Sequence, residues 1–389
     1  MQYRSLGRSN ILVSELGIGC EGLLGKSEKF VQDALDLMES YGATAIDLYS
    51  PNPEMRTNLG RAMEGRRGKF VLEAHLSTIW KNGQYKRTRQ MDEIREGFED
   101  QLTRLKTDTV EIGMIHYVDS MDDWQKIAQG PVLDYALSLK KTGVVRAVGL
   151  SSHNPKVALH AVESGVVDVL LFSVNPCYDL QPADDDVEQL WNREKYAGQL
   201  VNMDPDRQTL YEQCAQRGVG ITVMKAFGGG DLLHADRSPA GVALSLWQCI
   251  QYALDRPAVA TVFAGAHSLD ELRDVLAFTE ASGAEKEYAS TLATFPRISW
   301  KGHCMYCGHC APCPAGIDVA HVTKLLNLAR ARQMIPETVR EHYAALEHKA
   351  SACLACGSCN DRCPFDVAAM VNMAQAAALF EEIGLEQEA

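Results

Sequence analysis

The chain has 389 residues, 46% hydrophobic and 23% charged, the balance of a soluble globular protein with room for one large core and a smaller one beside it. Its formal net charge of −13 argues against nucleic acid or an anionic membrane as the main partner. The N-terminus has no apolar signal core and no apolar run reaches membrane length, so a cytoplasmic protein in a reducing environment is expected.

In chain order, a hairpin is expected from Tyr3–Leu6 and Ile11–Ser14. Short apolar runs then alternate with amphipathic ones. The expected strands are Leu16–Gly19, Ala45–Leu48, Phe70–Ala74, Val110–Ile115, Val144–Leu150, Val167–Phe172, Gly220–Met224 and Ala258–Phe263. Helical stretches fall at Lys29–Tyr41, Glu54–Glu64, Arg89–Leu105, Trp124–Thr142, Pro155–Ser164, Pro205–Arg217, Pro239–Asp255 and Leu269–Ala281. Pro155, Pro205 and Pro239 suit a first helical turn, and Gly42, Gly143, Gly165 and Gly218 suit C-caps. Strand–helix units in this number point to a parallel (β/α)8 TIM barrel. The alternative is a doubly wound sheet, for which Gly17-Ile-Gly19-Cys-Glu-Gly22 is a formal dinucleotide fingerprint. However, Gly17 lies inside its strand, which makes the match weak.

About thirty residues separate Phe172 from Pro205, against the usual ~2–6 of such a connection. The insertion holds Asp184-Asp185-Asp186, Trp191 and Tyr196. On a barrel it sits on the catalytic face, which favours a substrate lid over a merely solvated loop. From about Pro296 the character changes, so a barrel over 1–295 and a small α-helical ferredoxin-like domain over 296–389 are expected.

That tail carries Cys304-x2-Cys307-x2-Cys310-x2-Cys313-Pro and Cys353-x2-Cys356-x2-Cys359-x3-Cys363-Pro. In the bacterial ferredoxin pattern, three thiolates of one run and the last of the other hold each 4Fe–4S cluster. Cys304, Cys307, Cys310 and Cys363 are thus expected to hold one cluster, and Cys353, Cys356, Cys359 and Cys313 the other. Disulfides are disfavoured by the crowding, and zinc sites come as separated pairs. The other cysteines, Cys20, Cys177, Cys214 and Cys249, are scattered and read as small buried hydrophobes.

On a barrel, polar residues at the C-terminal ends of strands mark the site. Asp47, His75 and His116 occupy that position on consecutive strands and converge on one pocket. Asp47 beside His75 favours an imidazolium acid. Strand alternation puts Tyr49 on the side of Asp47, where it either lines the pocket or packs the barrel.

The chain resembles the aldo-keto reductases, in the branch with a C-terminal iron–sulfur domain. The resemblance rests on the N-terminal Arg-x-Leu-Gly-x-Ser, on Asp47 with Leu59-Gly60, on Ile115-His116 and on Val148-Gly149-Leu150-Ser151. Asn175, Val223-Met224-Lys225 with Gly228-Gly229, Gly265-x2-Ser268 and the cysteine spacing extend it. It implies NADP(H), or NAD(H), across the barrel mouth, and an Asp–Tyr–Lys–His tetrad handling the proton. Here the tyrosine position is Asn52 and the lysine position is His75; only Asp47 and His116 match. Ser151 and Asn175 fall at carboxamide-binding positions, with Leu171 in place of the family's glutamine. Lys225 at the end of the seventh strand is expected to meet the phosphates or the substrate, or to serve as a cap, and Gly228 and Gly229 permit close approach to a pyrophosphate. Gly265, His267, Ser268 and Arg273 open the eighth helix, where His267 and Arg273 favour a 2′-phosphate unless Arg273 is a surface charge. The tail is expected where relatives without clusters close over substrate.

The first functional expectation is an NAD(P)(H)-dependent oxidoreductase acting on a small carbonyl or hydroxyl, in which His75 or His116 takes over proton transfer. A redox-neutral lyase, isomerase or hydrolase, and an electron-transfer module with a redox partner, are the alternatives.

Overall fold

The alternating apolar runs form a closed barrel of eight parallel strands. The strands are β1 (Leu16–Gly19), β2 (Ala45–Leu48), β3 (Val71–His75), β4 (Val110–Ile115), β5 (Val145–Ser152), β6 (Val169–Ser173), β7 (Gly220–Met224) and β8 (Val259–Ala264). β8 pairs with β1 through Val262↔Leu16 and Ala264↔Ile18, which closes the sheet. The computed structural model describes residues 1–196, 200–295, 298–299, 301–330 and 335–382.

Helices cover the outside: α1 (Glu28–Tyr41), α2 (Pro53–Ala62), α3 (Met91–Leu105), α4 (Pro131–Thr142), α5 (Pro155–Glu163), α6 (Pro205–Arg217), α7 (Leu246–Leu254) and α8 (Leu269–Leu276). Gly42, Gly143 and Gly218 end α1, α4 and α6 in the left-handed conformation. The barrel interior is closed at its N-terminal end by Leu6, Ile11 and Val13 of the initial hairpin, packed with Ala45, Met114 and Val169. Gly7 is required there: its φ is +50°, and an added Cβ would lie 2.1 Å from the Gly218 carbonyl oxygen. Among the described residues no helix is long and apolar enough to cross a membrane.

Three helical expectations change. The stretch 124–142 is two helices, Met121–Ala128 and α4, because Pro131 lacks the N–H that a continuous helix needs. Pro239 precedes α7 by several residues, since the capping box of Ser245 and Gln248 starts the helix at Leu246. Gly165 lies one residue beyond the Ser164 C-cap of α5.

An unexpected hairpin, Thr78–Lys81 with Gln84–Arg87, follows β3. Asn82 and Gly83 both have positive φ, as a two-residue turn requires. Ile79 packs where α3 has Gly97, whose Cβ would lie 2.5 Å from the Ile79 Cγ2. Glu93 of α3 holds the hairpin base, accepting from Lys81 and Lys86 at 2.6 and 2.8 Å and from Thr88 at 2.5 Å.

The cysteine-bearing tail carries helices Val319–Arg330, Glu337–Ala344 and Ala369–Ala377. It docks on the flank of the barrel near the C-terminal ends of α6 and α7. The buried Arg256 guanidinium donates to the Met305 carbonyl at 2.5 Å and to Tyr288 Oη at 3.2 Å, and Gln216 donates to the Leu328 carbonyl. These side-chain contacts lie away from the mouth where β2, β3 and β4 end, whereas Ile298–Ser299 pairs with Leu200–Val201 of the long insertion after β6.

Candidate active site

Register brings the candidate side chains together. Asp47 stands beside Glu73, and His75 beside Met114, on neighbouring strands. With a side-chain period of two, Asp47, Glu73 and His75 all face the barrel axis. His75 Nε2 lies 2.8 Å from Asp47 Oδ1, and His75 Nδ1 lies 2.6 Å from His116 Nδ1. His116 Nε2 in turn lies 2.9 Å from Tyr85 Oη. Each contact holds one proton, which orders the neutral chain: Tyr85 O–H donates to His116 Nε2, His116 Nδ1–H to His75 Nδ1, and His75 Nε2–H to Asp47.

His75 is fully buried, Asp47 and His116 nearly so, and Tyr85 is 41% exposed. The chain therefore runs from a buried carboxylate to a phenol that solvent or substrate can reach. Burial, with the positive charge of His75 and Arg89 nearby, holds the His116 pKa well below its ordinary range. Burial raises the Tyr85 pKa against the opposing effect of Arg87 and Arg89, so the phenol stays protonated at neutral pH. Arg89 donates to the His116 and Tyr117 carbonyls at 2.9 Å and pairs with Asp123 at 2.7 Å, fixing the backbone that carries His116.

Tyr85 went unrecognised in the sequence reading, although Asn82-Gly83 between Thr78–Lys81 and Gln84–Arg87 is a hairpin signature. Tyr49 stacks on His116 at 6.2 Å and meets Tyr85 edge-on at 6.5 Å, making one wall of the mouth. Asn52 is the N-cap of α2, accepting from the Met55 N–H at 2.9 Å, so the family's tyrosine position has a structural task.

Glu73 lies one layer below, 1% exposed, with Oε1 accepting from Thr222 at 3.2 Å and Oε2 without a partner among the described residues. Burial and the neighbouring Asp47 carboxylate raise its pKa well above the usual range. The stability supplied by this protonated carboxyl is complete below its unfolded pKa of ~4.3 and is lost as pH rises through the raised folded value. Glu73→Gln is therefore expected to gain melting temperature relative to wild type, by more at pH 8 than at pH 5. Thermal unfolding across that range checks it; a gain independent of pH contradicts it.

The expected cofactor contacts divide. Gly228 and Gly229 have φ of +59° and +70°, and the space a Cβ would occupy at Gly229 or Gly265 is open. Neighbouring protein atoms therefore do not exclude a side chain at either point, and backbone is presented to the mouth. Ser151 Oγ accepts from the Tyr117 N–H at 2.7 Å and retains its own proton to donate. Burial lowers the Lys225 pKa, opposed by Glu21 and Asp119. Three residues have other work. Asn175 donates one amide N–H to the Lys225 carbonyl and accepts from the Cys177 and Tyr178 N–H groups. Ser268 caps α8, and Arg273 pairs with Asp270 at 2.5 Å. Asp270 and Glu271 occupy the first turn of α8, and Glu271 accepts from the His267 N–H at 2.7 Å. Those carboxylates oppose the 2′-phosphate that His267 and Arg273 suggested.

The insertion folds beside the mouth. Asp185 accepts from Asn154 at 2.9 Å, Asp184 pairs with Lys195 at 2.9 Å, and Tyr196 is buried. Its residues 197–199 lie outside the described residues.

In the tail, Cys304, Cys307, Cys310 and Cys363 line one small cavity. Cys353, Cys356, Cys359 and Cys313 line another. The walls are apolar, with Phe365 and Val367 at the first and Ile317 and Met373 at the second. None of the cysteines is in a disulfide. Four thiols converging in an apolar-walled pocket fit a 4Fe–4S cluster. Arg362 joins the two runs by donating to the Cys310 and Pro312 carbonyls at 2.6 and 2.7 Å.

Comparison with known proteins matches residues 15–245 to the aldo/keto reductase family and residues 303–368 to a 4Fe-4S dicluster domain. The chain is 28% identical over 323 residues to the uncharacterized oxidoreductase YqkF of Bacillus subtilis, covering 78% of this chain and 99% of the relative. It is 24% identical over 192 residues to the aldo-keto reductase YhdN of the same organism, covering 46% of this chain and 54% of that one. In fold it is similar to the holo form of aldo-keto reductase AKR11C1 from Bacillus halodurans, at a TM-score of 0.56 and 24% identity over 74% of this chain and 95% of that one. It is also similar to a putative aldo-keto reductase from Pseudomonas aeruginosa, at 0.53 and 22% over 71% and 93%.

Proposed function

Since the chain belongs to the aldo/keto reductase family and carries a C-terminal 4Fe-4S dicluster domain, we propose that it is a nicotinamide-dependent oxidoreductase whose proton passes along Tyr85, His116, His75 and Asp47. The observation that carries this reading is the unbroken chain of contacts of 2.6–2.9 Å from the exposed phenol to the buried carboxylate. A nicotinamide held by Ser151, Lys225 and the backbone at Gly228, Gly229 and Gly265 would supply or accept the hydride.

For reduction, Tyr85 Oη donates its proton to the carbonyl oxygen. Its own oxygen is reprotonated from His116 Nε2, and His116 Nδ1 from His75 Nδ1. The chain therefore begins with His75 as an imidazolium, its charge compensated by Asp47. Oxidation of an alcohol runs the same shift backwards from the neutral chain. Burial keeps His116 neutral, and Asp47 is placed to accept from His75 Nε2 at the far end of the chain. This arrangement replaces the family's Tyr–Lys pair with a phenol from a different segment and an imidazole in place of the ammonium.

The substrate class is a small oxygenated carbonyl or hydroxyl compound, polyol-like or sugar-like, because Glu21, Lys225, Asp119 and His153 make the mouth polar. The acidic first turn of α8 favours NAD(H), against the preference for NADP(H) that His267 and Arg273 suggested. The test is anaerobic deuteride transfer from 4-deuterated NADH and NADPH to a panel of small aldehydes and ketones. Deuterium at the carbinol carbon is expected; nucleotide that binds without label transfer to any carbonyl sinks the reading.

A further inference from the structure

A second cavity lies between barrel and tail, away from the mouth, and its argument is independent of the proton chain. Its volume is about 720 Å³, within the ~300–1,000 Å³ of small-molecule sites. Arg4, Lys286, His321, Lys324 and His342 line it, together with Cys307 and Gly308 of the first cysteine run.

One buried cation there lacks, among the described residues, a hydrogen-bond partner that a ligand would supply. Lys324 makes no hydrogen bond or ion pair among the described residues; its ammonium sits 5.9 Å from the centre of the Tyr306 ring. Burial, with Arg256 and Arg4 nearby, lowers its pKa to about 8. Arg4 donates to the Leu254 and Val259 carbonyls at 2.7 and 3.1 Å but meets no carboxylate among the described residues. The cavity's carboxylates are already engaged. Asp255 accepts from Tyr288 and Gln251 at 2.8 and 2.7 Å. Glu287 accepts from the Ser290 N–H at 3.0 Å and pairs with His309 at 3.4 Å. Asp318 accepts from the His321 N–H at 3.0 Å. Asp255 attracts Lys324, but no carboxylate among the described residues hydrogen-bonds that buried ammonium.

We propose that this cleft binds a small anionic ligand, phosphate- or carboxylate-bearing, in contact with Cys307. Gly308, with φ of +78° and open space where a Cβ would stand, leaves that approach unobstructed. Occupancy is then felt by the cluster that Cys304, Cys307, Cys310 and Cys363 would hold, and not by the other. Lys324, Lys286 and Arg4 grip the anion, and Leu254, Leu325 and Leu328 contact the rest of the molecule.

The test is anaerobic calorimetry on the protein with both clusters, using pyrophosphate and citrate as probes in chloride buffer. It is paired with electron paramagnetic resonance of the dithionite-reduced protein. One-to-one binding of at least one probe is expected, weakened about tenfold in both Lys324→Gln and Lys286→Gln, as loss of a charge-assisted contact implies. The resonance of one cluster shifts on binding and the other does not. No binding of either probe below about 1 mM, affinity unchanged in both variants, or a resonance response from neither or both clusters overturns the proposal. Pyrophosphate binding alone assigns a phosphate ligand, and citrate binding alone a carboxylate.

Discussion

Tyr85→Phe is expected to lower the rate of carbonyl reduction about 10²–10⁴-fold while leaving nucleotide affinity unchanged. The hydroxyl makes the hydrogen bond to His116, and phenylalanine keeps the ring packed edge-on against Tyr49 and His116. The hairpin is held by Ile79 against Gly97 and by Glu93, none of which the substitution touches. The loss should therefore fall on the chemical step and not on folding. Single-turnover measurements at saturating NADH or NADPH separate that step from binding. Tyr49→Phe is the informative companion. Its hydroxyl has no place in the chain, so a few-fold effect is expected; the reverse pattern, with Tyr85→Phe near wild type and Tyr49→Phe inactive, would move the acid to Tyr49.

The second large effect concerns the clusters. Replacing both Cys307 and Cys363 with Ala is expected to remove a single cluster and leave about four irons per chain, because both thiols line the same cavity. Replacing Cys313 and Cys363 together is expected to remove both clusters, since these two line different cavities. Clusters held run by run would give a different pattern, with Cys307 and Cys363 together losing both. Iron analysis and resonance spectra of the two double variants distinguish the arrangements. Cys356 is exposed, so electron exchange between that cluster and a redox partner is the second reading the surface favours.

Much of this was legible in the residues. The barrel strands showed as short apolar runs, displaced by at most two residues at their starts; the third strand moved from Phe70–Ala74 to Val71–His75, which brought His75 inside the strand. Asp47, His75 and His116 were legible because a parallel barrel presents strand ends at one mouth. Tyr85 was not, because a polar hairpin carries no apolar period, and its arrival at His116 depends on packing of Ile79 against α3. The work of Asn175, Ser268 and Arg273 was hidden for a related reason. A side chain's partner is a three-dimensional fact, and each of these residue types serves equally as a cap, an ion-pair partner or a cofactor contact. The position of the tail was illegible because it is set by a buried guanidinium, Arg256, reaching the Met305 carbonyl.

The central claim, that Tyr85, His116, His75 and Asp47 act as one proton-conducting unit, is tested most directly by a double-mutant cycle of Tyr85→Phe and Asp47→Asn. The rate of deuteride transfer is read in a single turnover. Groups acting as a unit give a double variant no slower than the slower single variant. Losses that multiply, so that the double variant falls by the product of the two single effects, would contradict it.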